Sequence, residues 1–278
     1  VGRKVMAAAV QNLTPVTLEL GGKSPAIVGE TADLRRAANR IATGKFFNAG
    51  QTCIAPDYVL IHESKRDAFV TLLKQHMAER YGAGNGYQDY TSIINEAQHG
   101  RLANLVTDAQ ARGHEVVSLL DIRQAPPSRV RLFEPVVVLE PSPDSAVMRE
   151  EIFGPILPVI GYRTTAEAIG YVLSGDRPLA LYCFSADTAE IDAILARIVA
   201  GGVCINDTLY QFACNDMPFG GVGASGMGHY HGREGFLTFS KSMSVLRKYT
   251  PAPSDLITPP YRGLTDKLVR FITWIPGR

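Results

Sequence analysis

The stretch DLRRAANRIATGKFFNAGQTCIAPDYVLIH, residues 33–62, predicts a helix, a loop and a strand in succession. Residues 33–46 place apolar side chains along one helical face, and Asp33 stands where the N-cap of that helix is expected. Residues 57–62 form the mainly apolar run that is typical of a buried strand. The loop between them carries one thiol, Cys53, among small and polar residues. The stretch is therefore predicted to be one helix-to-strand unit of an α/β fold.

The same alternation continues on both sides of this unit. Further strands are predicted at 16–20, 26–28, 116–120, 135–139, 156–162, 179–184 and 202–205. Further helices are predicted at 1–10, 64–81, 95–112, 166–173 and 191–199, with a short one near Arg233. This order predicts an open, mostly parallel sheet with flanking helices on both faces. The run 237–246 has no local partner strand, so we interpret it as an extended segment that pairs with another subunit. The proline-rich tail after Tyr249 is expected to wrap the surface.

The composition excludes several classes of protein. Apolar residues make up 46% of the 278 positions and charged residues 20%, as in folded soluble domains. The net charge is +1 and both signs are interspersed, so the sequence shows no basic patch for binding nucleic acid. No apolar run is long enough to span a membrane. The four cysteines contain no C-x-x-C pair, and His229 and His231 have no convergent carboxylate or thiol. We therefore expect no metal site, and a reducing, cytoplasmic location.

Two stretches offer candidate chemistry. Cys53 can be a nucleophile if a base and a charge-stabilising pocket lie nearby, although free cysteines are also among the most buried residues. In Thr17-Leu-Glu-Leu-Gly-Gly-Lys23, Glu19 is flanked by leucines at the end of an apolar strand. An apolar setting raises the pKa of a carboxylate toward neutrality and makes it a general base. The alternative is a surface acid that pairs with Lys23.

Two later motifs point to a ligand or to a plain turn. Glu150-Glu-Ile-Phe-Gly-Pro155 precedes a predicted strand. It is either an ordinary loop or a turn that presents a carboxylate to sugar hydroxyls and a ring to a flat ligand. Gly221-Val-Gly-Ala-Ser-Gly226 matches G-x-G-x-x-G, but it follows Pro218-Phe219 rather than a hydrophobic strand. We therefore interpret it as a turn and not as a dinucleotide-binding loop.

The motifs around Glu19 and Cys53, the 150–155 motif and Pro-Phe-Gly-Gly-Val-Gly-Ala-Ser-Gly-Met-Gly (218–228) occur in that order. Together they resemble the aldehyde dehydrogenase superfamily, from residue 1 to about residue 249. The spacing of Glu19 and Cys53 is that of the family's base and nucleophile. The segments 15–25 and 230–236 are similar to the class 3 branch, which includes fatty and aromatic aldehyde dehydrogenases. The segment Gly228-His-Tyr-His-Gly232 is most similar to bacterial coniferyl aldehyde dehydrogenases.

This resemblance implies a reaction. Cys53, as a thiolate, attacks an aldehyde, and loss of a hydride to NAD or NADP leaves a thioester on the sulfur. Glu19 then activates the water that releases the carboxylic acid. The resemblance leaves open whether the cofactor is NAD or NADP. It also leaves open whether the substrate is an aromatic aldehyde, such as coniferyl aldehyde, or a long-chain aliphatic one.

The resemblance also assigns residues to the cofactor and the substrate. Glu151 bonds the nicotinamide ribose, and Phe153 and Gly21 lie beside that end of the cofactor. Phe219 and Thr52 belong to the substrate pocket. No residue is assigned to a metal.

The resemblance further implies a domain division: 1–21 as the end of a cofactor-binding domain, 22–215 as the catalytic domain, and 216–278 as glycine-rich loop, oligomerisation strand and tail. In the family, a preceding half holds most of the cofactor pocket and an oxyanion-hole asparagine. This chain alone is therefore expected to bind NAD poorly and to have little activity, and to form a homodimer through 237–247. The alternatives are a non-catalytic truncated dimerisation module and a cofactor-independent esterase.

Overall fold

The computed structural model describes residues 1–82 and 87–274. These form two compact units, Val1–Phe239 and Ser240–Arg278. The glycine-rich loop belongs to the first unit, and the predicted domain division at residues 21 and 215 stays a prediction. Among the described residues, none of the helices has the length and apolar content needed to cross a membrane.

The sheet of the first unit is open and mostly parallel, as predicted. The strands are β1 (Leu18–Glu19), β2 (Pro25–Val28), β3 (Tyr58–His62), β4 (Glu115–Ser118), β5 (Val136–Leu139), β6 (Ile156–Tyr162), β7 (Ala180–Phe184), β8 (Gly202–Ile205) and β9 (Gly226–Met227). Seven of them form one sheet in the order β4-β5-β6-β3-β2-β7-β8, in which only β4 runs antiparallel. β1 and β9 form a separate two-stranded antiparallel ladder.

The predicted helices lie close to their expected positions, and the structure adds three that were not predicted, at 146–149, 210–213 and 264–274. The helices are α1 (Gly2–Val10), α2 (Leu34–Phe46), α3 (Arg66–Tyr81), α4 (Glu96–Ala111), α5 (Ala146–Arg149), α6 (Thr165–Leu173), α7 (Thr188–Leu195), α8 (Tyr210–Ala213), α9 (Gly232–Thr238) and α10 (Leu264–Trp274). Asp33 caps α2 as predicted, since its carboxylate accepts a hydrogen bond from the Arg36 N–H at 3.1 Å. α7 begins and ends several residues before its predicted position, 191–199.

The core lies on the central strands. Every residue of β2 and β7 is buried, which explains why these strands read as continuous apolar runs rather than alternating ones. The apolar face of α2 covers the sheet largely with small side chains, of which Ala37, Ala38 and Ala42 have no exposed surface. Small residues let this helix pack closely and bring its C-terminal end to the loop that carries Cys53.

The structure confirms one local prediction, corrects another and adds a helix. The glycine-rich segment is a turn, with Gly226 N–H bonded to the Gly223 carbonyl at 3.2 Å and no helix starting there, so the turn interpretation is confirmed. The extended run 237–246 is wrong at its start, because Leu237 lies in α9. Residues 241–249 have no regular secondary structure and are exposed, and their pairing with another subunit stays a prediction. α10 was not predicted, because the prolines before it favoured an extended tail.

Candidate functional site

The candidate residues meet at one edge of the parallel sheet. Glu19, Cys53 and Glu151 each lie a few residues before a strand, namely β2, β3 and β6. These three strands are neighbours in the order β6-β3-β2, so their amino ends share an edge. Open α/β sheets usually bind ligands at the carboxyl ends of their strands. In this chain the site that the sequence predicts lies at the opposite edge.

The loop before Cys53 takes an unusual backbone path. Asn48 and Ala49 both have left-handed φ angles, 51° and 53°, and Gly50 follows with a φ of 76°. A Cβ at Gly50 would lie 2.3 Å from the Gly154 carbonyl oxygen. Only glycine fits this approach, which brings the cysteine loop against the loop that carries Glu151.

Gln51 anchors the same loop to a neighbouring segment. Its side-chain oxygen accepts the Ile94 N–H at 2.9 Å, and its amide group donates to the Ser92 carbonyl at 3.2 Å. Gln51 had no predicted role, since a single glutamine in a loop carries no sequence signal of its partners. The two hydrogen bonds hold the residues just before Cys53 in place.

The Cys53 thiol is half-buried and packs against the hydrophobic core. Burial raises the pKa of this thiol to about 12, and the nearby Glu19 carboxylate adds to the effect through its charge and as a hydrogen-bond acceptor. At neutral pH the sulfur therefore carries its proton, in contrast to the thiolate that the resemblance implies. A nucleophilic attack must remove that proton, and the negative charge of Glu19 opposes its loss.

Glu19 itself is held by the ladder of β1 and β9, where it pairs with Gly226. Its side chain is exposed, so the apolar setting expected from its leucine neighbours is wrong. The cause is that a ladder of two residues has no layer packed over the glutamate. The alternative partner is also wrong, because Lys23 forms its ion pair with Asp57 instead.

Glu151 and Gly21 are in close contact. Gly21 has a φ of +78°, and a Cβ there would lie 2.7 Å from Glu151 Oε1. The Gly22 N–H donates to the same carboxylate, whose pKa is raised mainly by burial. Two of the three residues that the resemblance assigns to the cofactor thus share one small polar cradle. They line a cleft of about 560 Å³ together with Lys23, Tyr58 and Tyr171.

Phe153 follows Glu151 by two residues in the chain. It has a left-handed φ of 48°, and its side chain is 42% exposed. An aromatic ring held at the surface by a strained backbone is free to contact a flat ligand. Its contact with a cofactor stays a prediction.

The two residues assigned to the substrate pocket differ in accessibility. Phe219 is buried in an aromatic cluster with Phe212, Tyr230 and His231, at ring-centroid distances of 5.0, 5.6 and 5.6 Å. Thr52 is half-buried, and its carbonyl accepts the Ala55 N–H in the turn around Cys53. In this cluster Phe212, which the sequence analysis did not single out, is exposed. The pocket roles of Phe219 and Thr52 stay predictions.

Lys45 is a buried charge that the sequence analysis missed. It lies near the end of α2 with no exposed surface, and its ammonium has no hydrogen-bond partner among residues 1–82 and 87–274. Burial lowers its pKa from 10.5 to about 8, against the opposing charges of Asp57 and Glu151. A lysine on a mostly apolar helix face can bury its ammonium or extend it to solvent along its methylene chain. The sequence does not distinguish these two cases.

Replacing Lys45 with Met should stabilise the protein at neutral pH. The depressed pKa means that the unfolded state binds the proton more tightly, which destabilises the wild-type fold fully below pH 8 and progressively less up to about pH 10.5. The expected gain in unfolding free energy at pH 7 is about 3 kcal/mol, and it should vanish near pH 10.5. Urea denaturation of both proteins across this range measures it.

The exposed Lys74 supplies a matched control for this measurement. Lys74→Met should leave the unfolding free energy unchanged at every pH within about 0.5 kcal/mol. A difference between Lys45→Met and wild type that does not depend on pH would mean that packing, and not the buried charge, sets the effect.

No group of three or more His, Cys, Asp or Glu side chains within the described part of the chain is placed to hold a metal ion. The polar groups at the site are those of an acid–base and nucleophile chemistry, together with the cradle around Glu151.

The chain is similar to proteins of one family along nearly its whole length. A profile described as the aldehyde dehydrogenase family matches residues 1–245. The probable coniferyl aldehyde dehydrogenase of Pseudomonas aeruginosa is 49% identical over 269 residues, which cover 97% of this chain and 56% of that protein. The mouse protein named aldehyde dehydrogenase, dimeric NADP-preferring, is 41% identical and covers 92% of this chain, which spans 57% of its length.

A solved structure of similar sequence has the same fold. The substrate-bound state of Staphylococcus aureus AldH matches 98% of this chain with a TM-score of 0.88 and 42% sequence identity, over 58% of its own length. The chain thus spans about half the length of the curated relatives it matches.

Proposed function

Because this chain belongs to the aldehyde dehydrogenase family, we propose that it provides the nucleophile and the base for NAD(P)-dependent oxidation of an aldehyde to a carboxylic acid. The observation that carries the proposal is the meeting of Cys53, Glu19 and Glu151 at the shared amino edge of three neighbouring strands. Similarity to proteins named as aldehyde dehydrogenases supports the class of reaction.

The first step joins the Cys53 sulfur to the aldehyde carbon. The thiol proton passes to solvent water as the S–C bond forms, so Glu19 remains available as the base for the later hydrolysis. The aldehyde oxygen gains the electron pair of the C=O bond, and the Cys53 N–H is the donor we assign to it. The product is a thiohemiacetal bonded to Cys53.

The second step removes a hydride from the same carbon and leaves a thioester on Cys53. NAD or NADP supplies the acceptor for this hydride when bound. Glu151 would hold the ribose hydroxyls through its carboxylate, beside the small cradle that Gly21 keeps open. The close approach of Gly21 to Glu151 fits such a contact, because any larger residue at position 21 would displace the carboxylate.

The third step is hydrolysis. Glu19 takes a proton from water while the water oxygen bonds to the thioester carbon, and the C–S bond then breaks. The acid leaves and the sulfur recovers a proton. The exposed position of Glu19 in this chain suits this step, since water reaches its carboxylate directly.

The substrate and the assembly are proposed from the same similarities. The name of the Pseudomonas aeruginosa relative supports an aromatic aldehyde such as coniferyl aldehyde, with long-chain aliphatic aldehydes as the alternative. The name of the mouse relative supports NADP as a cofactor besides NAD, and a homodimer. We assign residues 237–247 to the dimer contact.

An aldehyde panel with both cofactors tests the proposed function. The full-length protein, supplied with coniferyl aldehyde or a long-chain aldehyde and with NAD or NADP, should form reduced cofactor and carboxylic acid in equal amounts. Acid formed from an activated ester but never from an aldehyde would favour the esterase alternative. Absence of both products would contradict any catalytic role.

A further inference from the structure

A second polar assembly lies beside the candidate cofactor cradle. Asp57, just before β3, is 3% exposed, and its Oδ1 accepts the Ile152 N–H at 2.9 Å. Its Oδ2 is paired with the ammonium of Lys23. Both oxygens are thus used, one on a cation and one on the backbone next to Glu151.

Lys23 connects the same assembly to the residues that precede Glu151 in the chain. Besides Asp57, its ammonium donates to the Val147 carbonyl at 2.7 Å and to the Glu150 carbonyl at 3.0 Å. One ion pair therefore makes three hydrogen bonds to the backbone of 147–152. These bonds bracket Glu151 on both sides along the chain.

Stability alone does not account for such a pair. Taking a carboxylate and an ammonium out of water costs several kcal/mol per ion, and apolar residues of the same shape stabilise a fold as well or better. Buried charges are worth keeping where they fix a geometry that apolar packing would leave loose. Here the fixed geometry is that of the backbone around Glu151.

Glu151 has little tolerance for movement. Its carboxylate fits between the Gly22 N–H and the space above Gly21, where a Cβ would come within 2.7 Å. The segment that carries it is also in contact with the cysteine loop, through Gly154 and Gly50. A displacement of about 1 Å at such a site can lower activity roughly 100-fold.

We propose that Asp57, through its ion pair with Lys23, is a positioning residue that holds Glu151 in the geometry required for cofactor binding. This inference rests on the proposed function, in which Glu151 contacts the cofactor. Asp57 touches neither substrate nor cofactor, and it acts only through the backbone of 147–152.

The chain contains a matched control for Asp57. Asp108, on α4, accepts the Ala146 N–H at 2.8 Å and pairs with Arg112 at 2.9 Å. Like Asp57, it accepts a backbone N–H and pairs with a cation, here at the start of α5, and it also accepts the Ser145 hydroxyl at 3.2 Å. Asp108→Asn removes an equivalent interaction without touching the residues next to Glu151.

The test measures cofactor binding directly in the full-length protein. Titration with NADH and NADPH, followed by fluorescence, gives the Kd for wild type, Asp57→Asn and Asp108→Asn. Asp57→Asn should raise the Kd roughly 10- to 100-fold. Asp108→Asn should change it less than about twofold, and the KM for the aldehyde should move little in either variant.

A double-mutant cycle separates positioning from a general structural role. In a Glu151→Ala background, Asp57→Asn should raise the Kd less than about twofold further, because the residue it positions is gone. Lys23→Met should reproduce the effect of Asp57→Asn, and it carries the test if the aspartate variant does not fold.

The outcomes separate a failure of the proposed function from a failure of the positioning role. If wild type neither binds reduced cofactor nor oxidises aldehydes, the proposed function fails. The positioning role is wrong if wild type binds the cofactor but Asp57→Asn and Lys23→Met change the Kd no more than Asp108→Asn does. It is also wrong if the effects of Asp57→Asn and Glu151→Ala on the binding free energy simply add.

Discussion

Replacing Cys53 with Ala should abolish aldehyde oxidation, lowering kcat/KM roughly 10⁴-fold or more, because the variant lacks the sulfur proposed to carry the acyl intermediate. The residue is half-buried in a turn whose backbone is anchored by Gln51, so the loss of one sulfur atom should leave the fold intact. The measurement is NAD(P)H formation with the preferred aldehyde, together with mass spectrometry of the protein after a short reaction with substrate. Wild type should show the mass of one acyl group and the variant none.

The other cysteines provide the control for this substitution. Cys214 is exposed and lies outside the proposed site, so Cys214→Ser should retain the wild-type rate and the acyl adduct. An active Cys53→Ala protein, or an adduct that persists in it, would move the nucleophile to a different residue and overturn the mechanism.

Replacing Glu19 with Gln should have two effects of opposite sign. Turnover should fall roughly 10²- to 10⁴-fold, because the thioester loses the base proposed to activate water. The thiol should at the same time become easier to ionise. The negative charge and acceptor of Glu19 help to raise the pKa of Cys53 to about 12, and their removal lowers it.

The sign of the pH effect follows from this change. A lower pKa increases the thiolate fraction at any pH below it, so alkylation of Cys53 by iodoacetamide should be faster in Glu19→Gln than in wild type near pH 8. The pKa should remain above the usual value of a free thiol, since burial is the largest cause of the shift. Rapid-quench kinetics should show a first burst of NAD(P)H followed by slow turnover.

Glu115→Gln is the matched control, since Glu115 is exposed on β4 at the far edge of the sheet. It should leave both turnover and the alkylation rate unchanged. If Glu19→Gln slowed alkylation instead of speeding it, Glu19 would be acting as a base that ionises Cys53, and its charge would not be the dominant influence on the free thiol.

The main elements of the fold could be predicted because their signals are local. The apolar face and Asp33 cap define α2, and the continuous apolar runs define β2, β6 and β7. α10 was missed because it forms from residues that follow the prolines of the tail. The high proline content of the tail as a whole favoured an irregular structure. The resemblance to the aldehyde dehydrogenases is confirmed by the family match.

The polar environment of the site could not be predicted in the same way. Lys23 is an alternative partner for Glu19 on the sequence alone, four residues away. Its partner in the structure is Asp57, which lies 34 residues along the chain and reaches Lys23 through the pairing of β2 with β3. The exposure of Glu19 likewise depends on what covers a two-residue ladder. Sequence motifs identify which groups are present, whereas their charge state depends on contacts between distant segments.

The contact between Gly50 and Gly154 has a consequence for how this chain can change over time. A side chain at position 50 would collide with a carbonyl oxygen of the other loop, at a backbone angle that already disfavours every residue except glycine. The loop that presents the sulfur and the loop that presents Glu151 therefore cannot vary independently. Insertions or substitutions that alter substrate preference must therefore occur in other loops around the site. These two loops are inherited, or redesigned, as a single unit.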